Sequence, residues 1–138
     1  MTNPSSSYLA LQAQSASIPD QLTVQIVSGS HLGRVWLAYL SACSTAENQV
    51  ADSADEALRL ASGFQVAGFG HTVVSMWPSN DYLCAQMASV SYHELLSQGR
   101  IQKGNRRVAA ALHAAVAEIR EQYPSQPYLW AQYVRLGA

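Results

Sequence analysis

The chain has 138 residues, about half of them apolar and only 12% charged, with a formal net charge of −1. That length predicts one domain able to bury about two thirds of the surface of its unfolded chain, and the near-neutral balance excludes a basic nucleic-acid footprint and a disordered acidic tail. No apolar run approaches the ~20 residues that span a bilayer, and MTNPSSSY lacks the charged and apolar regions of a signal peptide. A cytoplasmic protein with no membrane or nucleic-acid partner is therefore expected. Cys43 and Cys84 fall in different predicted elements without metal-ligand spacing, so reduced thiols, no metal and no cofactor are expected.

Residues 1–20 read as a flexible or weakly structured N-terminal segment, with one short strand candidate at residues 8–11. Asp20 is expected to cap a short helix over residues 22–27, with Leu22, Ile26 and Val27 on one face and Gly29 and Gly33 as stops. Residues 35–40, VWLAYL, are continuously apolar and predict a strand buried on both faces of a largely parallel sheet. Small residues end that run abruptly, which puts Cys43 just past the carboxyl end of a strand, where open α/β sheets place their chemistry.

Residues 44–53 read as loop, and Ser53 or Asp55 opens a helix reaching Ala67 in which Ala57, Leu60, Ala61 and Phe64 share a face. Gly63 inside it suggests close helix-to-sheet approach or a merely tolerated glycine. A strand over residues 71–77 follows, then a helix over 81–98 with Ala88, Tyr92 and Leu95 on one face. After a basic loop, Val108, Leu112, Ala115, Val116 and Ile119 mark another amphipathic helix ended by Pro124, and residues 130–136 form a last strand candidate. This order predicts an α/β fold with a parallel or mixed sheet flanked by helices. The sheet looks incomplete on one side, because a strand buried on both edges needs more neighbours than follow it.

Three blocks, LAYLSACSTA, DEALRLASGFQVAGFGHTVVSMWPSND and AALHAAVAEIREQYPSQPYLWAQYV, together resemble the C-terminal part of CHAT domains. These are caspase-like cysteine peptidase domains associated with tetratricopeptide arrays and related to separases and caspases. The likeness runs from Leu22 to Val134, and residues 21–138 are assigned to this C-terminal part. It implies a caspase-like α/β fold lacking its N-terminal strands, with Cys43 at the position of the nucleophile. The family's base is a histidine in a His-x-Gly or His-Gly motif upstream of the segment matching residues 8–11, and no such motif occurs here. The resemblance thus implies a peptidase domain inactive alone. The alternatives are an interaction or assembly module that uses an exposed sheet edge, and one half of a cysteine endopeptidase completed by an upstream segment. Expected partners are a protein or peptide substrate, a partner chain, or a tetratricopeptide-containing protein.

A cysteine nucleophile needs a base within about 3 Å, and none of the four histidines meets that requirement on chain geometry. His71 is expected to open its strand, about 20 Å from the level of Cys43 at ~3.3 Å per residue, and His31 lies before the central strand. His93 falls about 18 Å back along its helix, and His113 reads as a packing or surface residue. Asp55 and Glu56 are expected at the carboxyl edge of the sheet, either as helix-start charges or lining a pocket for a basic side chain. Asp81 and Trp77 reach that edge from the next strand, Trp77 as pocket wall or core. Cys84 reads as a small buried hydrophobe, and Lys103, Arg106 and Arg107 as a solvated basic face. Gly29-Ser30-His31-Leu32-Gly33 precedes a strand and so does not form a nucleophile elbow. Gly68-Phe69-Gly70 is too short for a dinucleotide fingerprint.

Overall fold

A computed structural model of the chain describes residues 8–11, 20–30, 32–33, 35–41, 50–97 and 106–137. Strands β1 (Tyr8–Leu11) and β2 (Asp20–Thr23) form an antiparallel pair, with Leu9 opposite Leu22. The main sheet contains β3 (Val35–Leu40), β4 (Phe69–Ser75) and β5 (Tyr133–Gly137) in the order β3-β4-β5. β3 and β4 are parallel, with Leu37 opposite His71 and Leu40 opposite Val74, whereas β5 returns antiparallel to β4, with Tyr133 opposite Ser75. Helices α1 (Val24–Gly29), α2 (Val50–Val66), α3 (Asp81–Ser97) and α4 (Arg106–Gln122) complete the α/β architecture expected from the sequence. Among the described residues no helix is long and apolar enough to cross a membrane.

Strand alternation divides the core into two layers. Leu37, Tyr39, Val73 and Tyr133 pack toward Leu83, Met87 and Leu95 of α3 and Val108, Ala111, Leu112, Ala115 and Ile119 of α4. On the opposite face Leu40, Val74, Val134 and Leu136 meet Ala57 and Ala61 of α2. A third cluster, Val27, Ala38, Phe64 and Ala67 with Leu9 and Leu22 beside it, ties α1 and the β1–β2 pair to the same layer.

Several expectations are corrected. The helix start expected at Asp20 is displaced: residues 20–23 are strand, and Thr23 caps α1 by accepting the Ile26 N–H through Oγ1 at 3.2 Å. Leu22 therefore packs from a strand, because pairing with Leu9 holds it extended. α2 starts at Val50, inside the stretch expected to be loop. Gly63 approaches α1, not the sheet: a Cβ there would lie 2.9 Å from Val24 Cγ1. On α3 the buried face is Leu83, Cys84, Met87, Ser91 and Leu95, with Tyr92 left 45% exposed. This helix is apolar on more than one side, so residue spacing alone does not select its inward face.

The strand buried on both faces is β4, in which every residue from His71 to Ser75 is buried, and not β3. β3 has one hydrogen-bonded neighbour among the described residues, and Trp36 is 47% exposed. Among the described residues β3 and β5 are therefore the outer strands of this sheet and β4 its centre.

Between α2 and β4 the chain turns through Gly68, at φ +110°, where a Cβ would collide with the Gly33 carbonyl oxygen. The neighbouring Leu32 N–H donates to the Ala67 carbonyl at 3.1 Å, so the approach to β3 and the exit from α2 lock each other. Gly68→Ala is expected to lower unfolding stability by about 1–3 kcal/mol, read from denaturant midpoints at unchanged slope; a loss below ~0.5 kcal/mol would show the turn to be unconstrained.

Candidate functional site

The parallel β3–β4 pair brings the carboxyl ends of both strands to one edge of the sheet, Leu40 beside Val74. From that edge β4 continues into Met76 and Trp77, and Asn80 opens α3 by accepting the Tyr82 N–H through Oδ1 at 2.8 Å. Asp81 is exposed in the first turn of α3, where a carboxylate complements the helix start.

This exit is rigidly held. The Met76 N–H donates to the Gln132 carbonyl at 2.8 Å, and Trp77 Nε1 donates to the Tyr128 carbonyl at 2.8 Å. The Ser75 hydroxyl lies 2.8 Å from the Trp77 carbonyl and 3.2 Å from Oε1 of the fully buried Gln132, so one hydroxyl proton serves two acceptors. Trp77 is half-buried with its N–H committed. Sequence reasoning missed Gln132, which sits in an apolar C-terminal stretch.

Of the residues singled out in the sequence, Cys43 lies outside the described residues. Trp77 and Asp81 share the connection at the carboxyl edge. Asp55 is the sixth residue of α2 and exposed, and Glu56 is half-buried beside it. Asp55 lines a shallow groove of about 620 Å³ with Arg59 and Ser62 of α2 and Val24 and Ser28 of α1. The earlier start of α2 sets both carboxylates more than a turn into the helix. Cys84 is buried in the α3–sheet layer, as expected of a small hydrophobe.

The histidines separate clearly. His31 lies outside the described residues, and His93 and His113 are exposed. His71 is the third residue of β4, not its first, and is only 3% exposed. Its Nδ1 lies 3.0 Å from Arg135 Nη2, which also donates to the Gly137 carbonyl at 3.0 Å. A guanidinium only donates, so Nδ1 accepts and the ring proton sits on Nε2. Trp36 meets the His71 ring edge-on at 6.1 Å, and the Arg107 guanidinium lies 5.8 Å from the Trp36 ring centre.

Arg107 does not lie on a solvated face, as the basic run suggested. Its Nη2 donates to the Leu95 carbonyl at 2.7 Å, satisfying an acceptor in the last turn of α3 and clamping α3 to α4. Lys103 lies outside the described residues. Deeper in this layer, burial pushes the Tyr39 phenol up to about 12.

Burial, reinforced by the Arg135 charge, pulls the His71 pKa below its usual 6.5. The unfolded chain therefore binds a proton here that the folded chain refuses. The resulting stability is present above about pH 6.5 and is lost as the pH falls toward and through the depressed folded value. Denaturant melts between pH 7.5 and 5.5 should show a steeper acid-side loss for the wild type than for His71→Asn, whose Oδ1 can still accept from Arg135. Parallel profiles would contradict this placement of the proton.

No curated protein and no solved structure matched the chain. The family model described as CHAT domain matches residues 1–138, the whole length of the sequence. With a mixed sheet between helical layers and a strand ending three residues before Cys43, the chain belongs to the CHAT domain family.

Proposed function

We propose that the chain is the nucleophile-bearing part of a caspase- or separase-like cysteine peptidase domain, and that it does not cleave peptides by itself. The observation that carries this reading is the β3–β4 register. It sets the end of β3 beside the end of β4, while holding His71 level with Leu37, back along the sheet, with Nδ1 engaged by Arg135.

In the complete reaction the Cys43 thiolate would attack the scissile carbonyl carbon, the C–N bond would break, and the amine would leave with a proton from the base. Water would then hydrolyse the thioester. That sequence needs a group to take the thiol proton and return it to the amine. Among the described histidines, exposed His93 and His113 lie on α3 and α4, and His71 is already bound. The base belongs to a segment or chain that packs against this one. At the carboxyl edge Asp81 offers a carboxylate to a basic substrate side chain and Trp77 a wall beside it.

A second reading is favoured by the outer edge of β3. A strand with one hydrogen-bonded neighbour among the described residues presents a row of backbone donors and acceptors to another strand, so the chain also serves as an assembly module.

Purified chain incubated with a fluorogenic peptide panel is expected to show no turnover that depends on Cys43, the wild type and Cys43→Ala giving equal rates. Cleavage abolished by Cys43→Ala or by a thiol-directed inhibitor would overturn the proposal that the chain lacks a base.

A further inference from the structure

Gln132, immediately before β5, is fully buried, where an apolar side chain would bring no polar atom to satisfy. Burying an amide is costly unless its donor and its acceptor are both engaged. Here both are. Nε2 donates to the Leu129 carbonyl at 3.3 Å, and Oε1 accepts from the Ser75 hydroxyl at 3.2 Å. The direction is set by chemistry: the Leu129 carbonyl only accepts, so it faces the NH2 end, and this turns the amide oxygen toward Ser75. The main-chain carbonyl of Gln132 takes a third bond, from the Met76 N–H at 2.8 Å.

These bonds belong to a closed circuit around Trp77. Its carbonyl accepts from the Ser75 hydroxyl at 2.8 Å, and its indole Nε1 donates to the Tyr128 carbonyl at 2.8 Å. Tyr128 and Leu129 lie together in one 3-10 turn, Pro127–Leu129. Within that turn the Leu129 N–H donates to the Gln126 carbonyl at 3.0 Å and the Ala131 N–H to the Pro127 carbonyl at 2.8 Å, bonds that shape the turn without fixing its distance from β4. The Gln132 amide supplies that distance. It bridges the two segments that hold Trp77, β4 through Ser75 and the turn through Leu129.

We propose that Gln132 is a positioning residue of the carboxyl edge: its side-chain amide sets the Tyr128 carbonyl where the Trp77 indole meets it, and so fixes the ring beside the strand exits. The proposal deepens the peptidase reading, in which Trp77 flanks the substrate, and rests on that reading for the meaning of the edge. A buried network with its members engaged specifies one arrangement of its surroundings. Within this network the Nε2 donor carries the effect, because it alone reaches the turn. Oε1 faces a hydroxyl shared with the Trp77 carbonyl, which keeps that proton when Oε1 is lost.

Exchange of indole N–H protons in the full chain, followed by NMR with the Trp77 signal assigned through Trp77→Phe, tests this. In the wild type the Trp77 proton is expected to exchange more slowly than that of Trp36, which is 47% exposed. Gln132→Met, close in length and apolar, should speed Trp77 exchange about fivefold or more, while the amide of Val73, buried between β3 and β5, keeps its wild-type rate. Gln132→Glu keeps an acceptor toward Ser75 but sets a second oxygen against the Leu129 carbonyl. It should speed the exchange at about pH 8 and return toward the wild-type rate, compared at equal pH, as the buried carboxyl takes up a proton and regains a donor.

Parallel acceleration of Trp77 and Val73 makes Gln132 a packing residue and overturns the proposal. An unchanged Trp77 rate in Gln132→Met does the same, since the Tyr128 carbonyl is then held without the amide. Acceleration that persists in protonated Gln132→Glu removes the role from the Nε2 donor and also overturns it. None of these readouts involves Cys43 or turnover, so their failure leaves the peptidase reading standing, and Cys43-dependent cleavage by the isolated chain would count against that reading alone.

Discussion

The parallel pairing of β3 with β4 is the constraint on which the rest of the molecule depends. It fixes Leu40 beside Val74 and so gathers the exits of both strands at one edge. A parallel pair needs a crossover element, and α2 supplies it. Its apolar face, Ala57, Ala61 and Phe64, covers one side of the sheet, and the α3–α4 hairpin covers the other. β5 closes the far side antiparallel, and its approach, through Tyr128 and Gln132, holds the Ser75–Trp77 exit in place. The carboxyl edge is thus braced from β4 outward, and β3 carries the position from which Cys43 follows.

Much of this is legible in the residues. α4 announces itself because Val108, Leu112, Ala115 and Ile119 keep one helical face between charged neighbours. β3 is equally clear as an apolar run ended by small residues. The burial of β3 is not legible. A run apolar at every position signals a strand covered on both faces, yet the strand so covered among the described residues is β4, whose sequence FGHTVVS includes His71 and Thr72. Polar residues inside a central strand hide it from a hydrophobicity reading, and their burial here depends on partners far along the chain, such as Arg135 for His71. The β2–α1 junction is obscured for a similar reason: a cap at Asp20 and a cap at Thr23 are both chemically sound, and pairing with β1 decides between them.

The site is legible in position more than in composition. Trp77 and Asp81 follow directly from their place after β4. Asp55 and Glu56 belong at the same edge only if α2 begins near them, and its start at Val50 carries Asp55 into the α1–α2 groove instead. Arg107 shows the opposite error. Three basic residues near a helix start suggest solvent, but a guanidinium can bridge the Leu95 carbonyl and the Trp36 ring, which a count of charges does not reveal.

Everything proposed for the chemistry depends on Cys43 belonging to the carboxyl edge together with Trp77 and Asp81. A nitroxide attached to Cys43, in a Cys84→Ala background, would report this through paramagnetic broadening of backbone amide signals. Across β4 and its exit the two ends of the comparison lie about 20 Å apart, well separated for such a probe. The expected result is the steepest signal loss at residues 77–81, fading toward residues 69–71. Broadening centred on residues 69–71, with residues 77–81 intact, would place the cysteine at the opposite edge and contradict the peptidase assignment at its foundation.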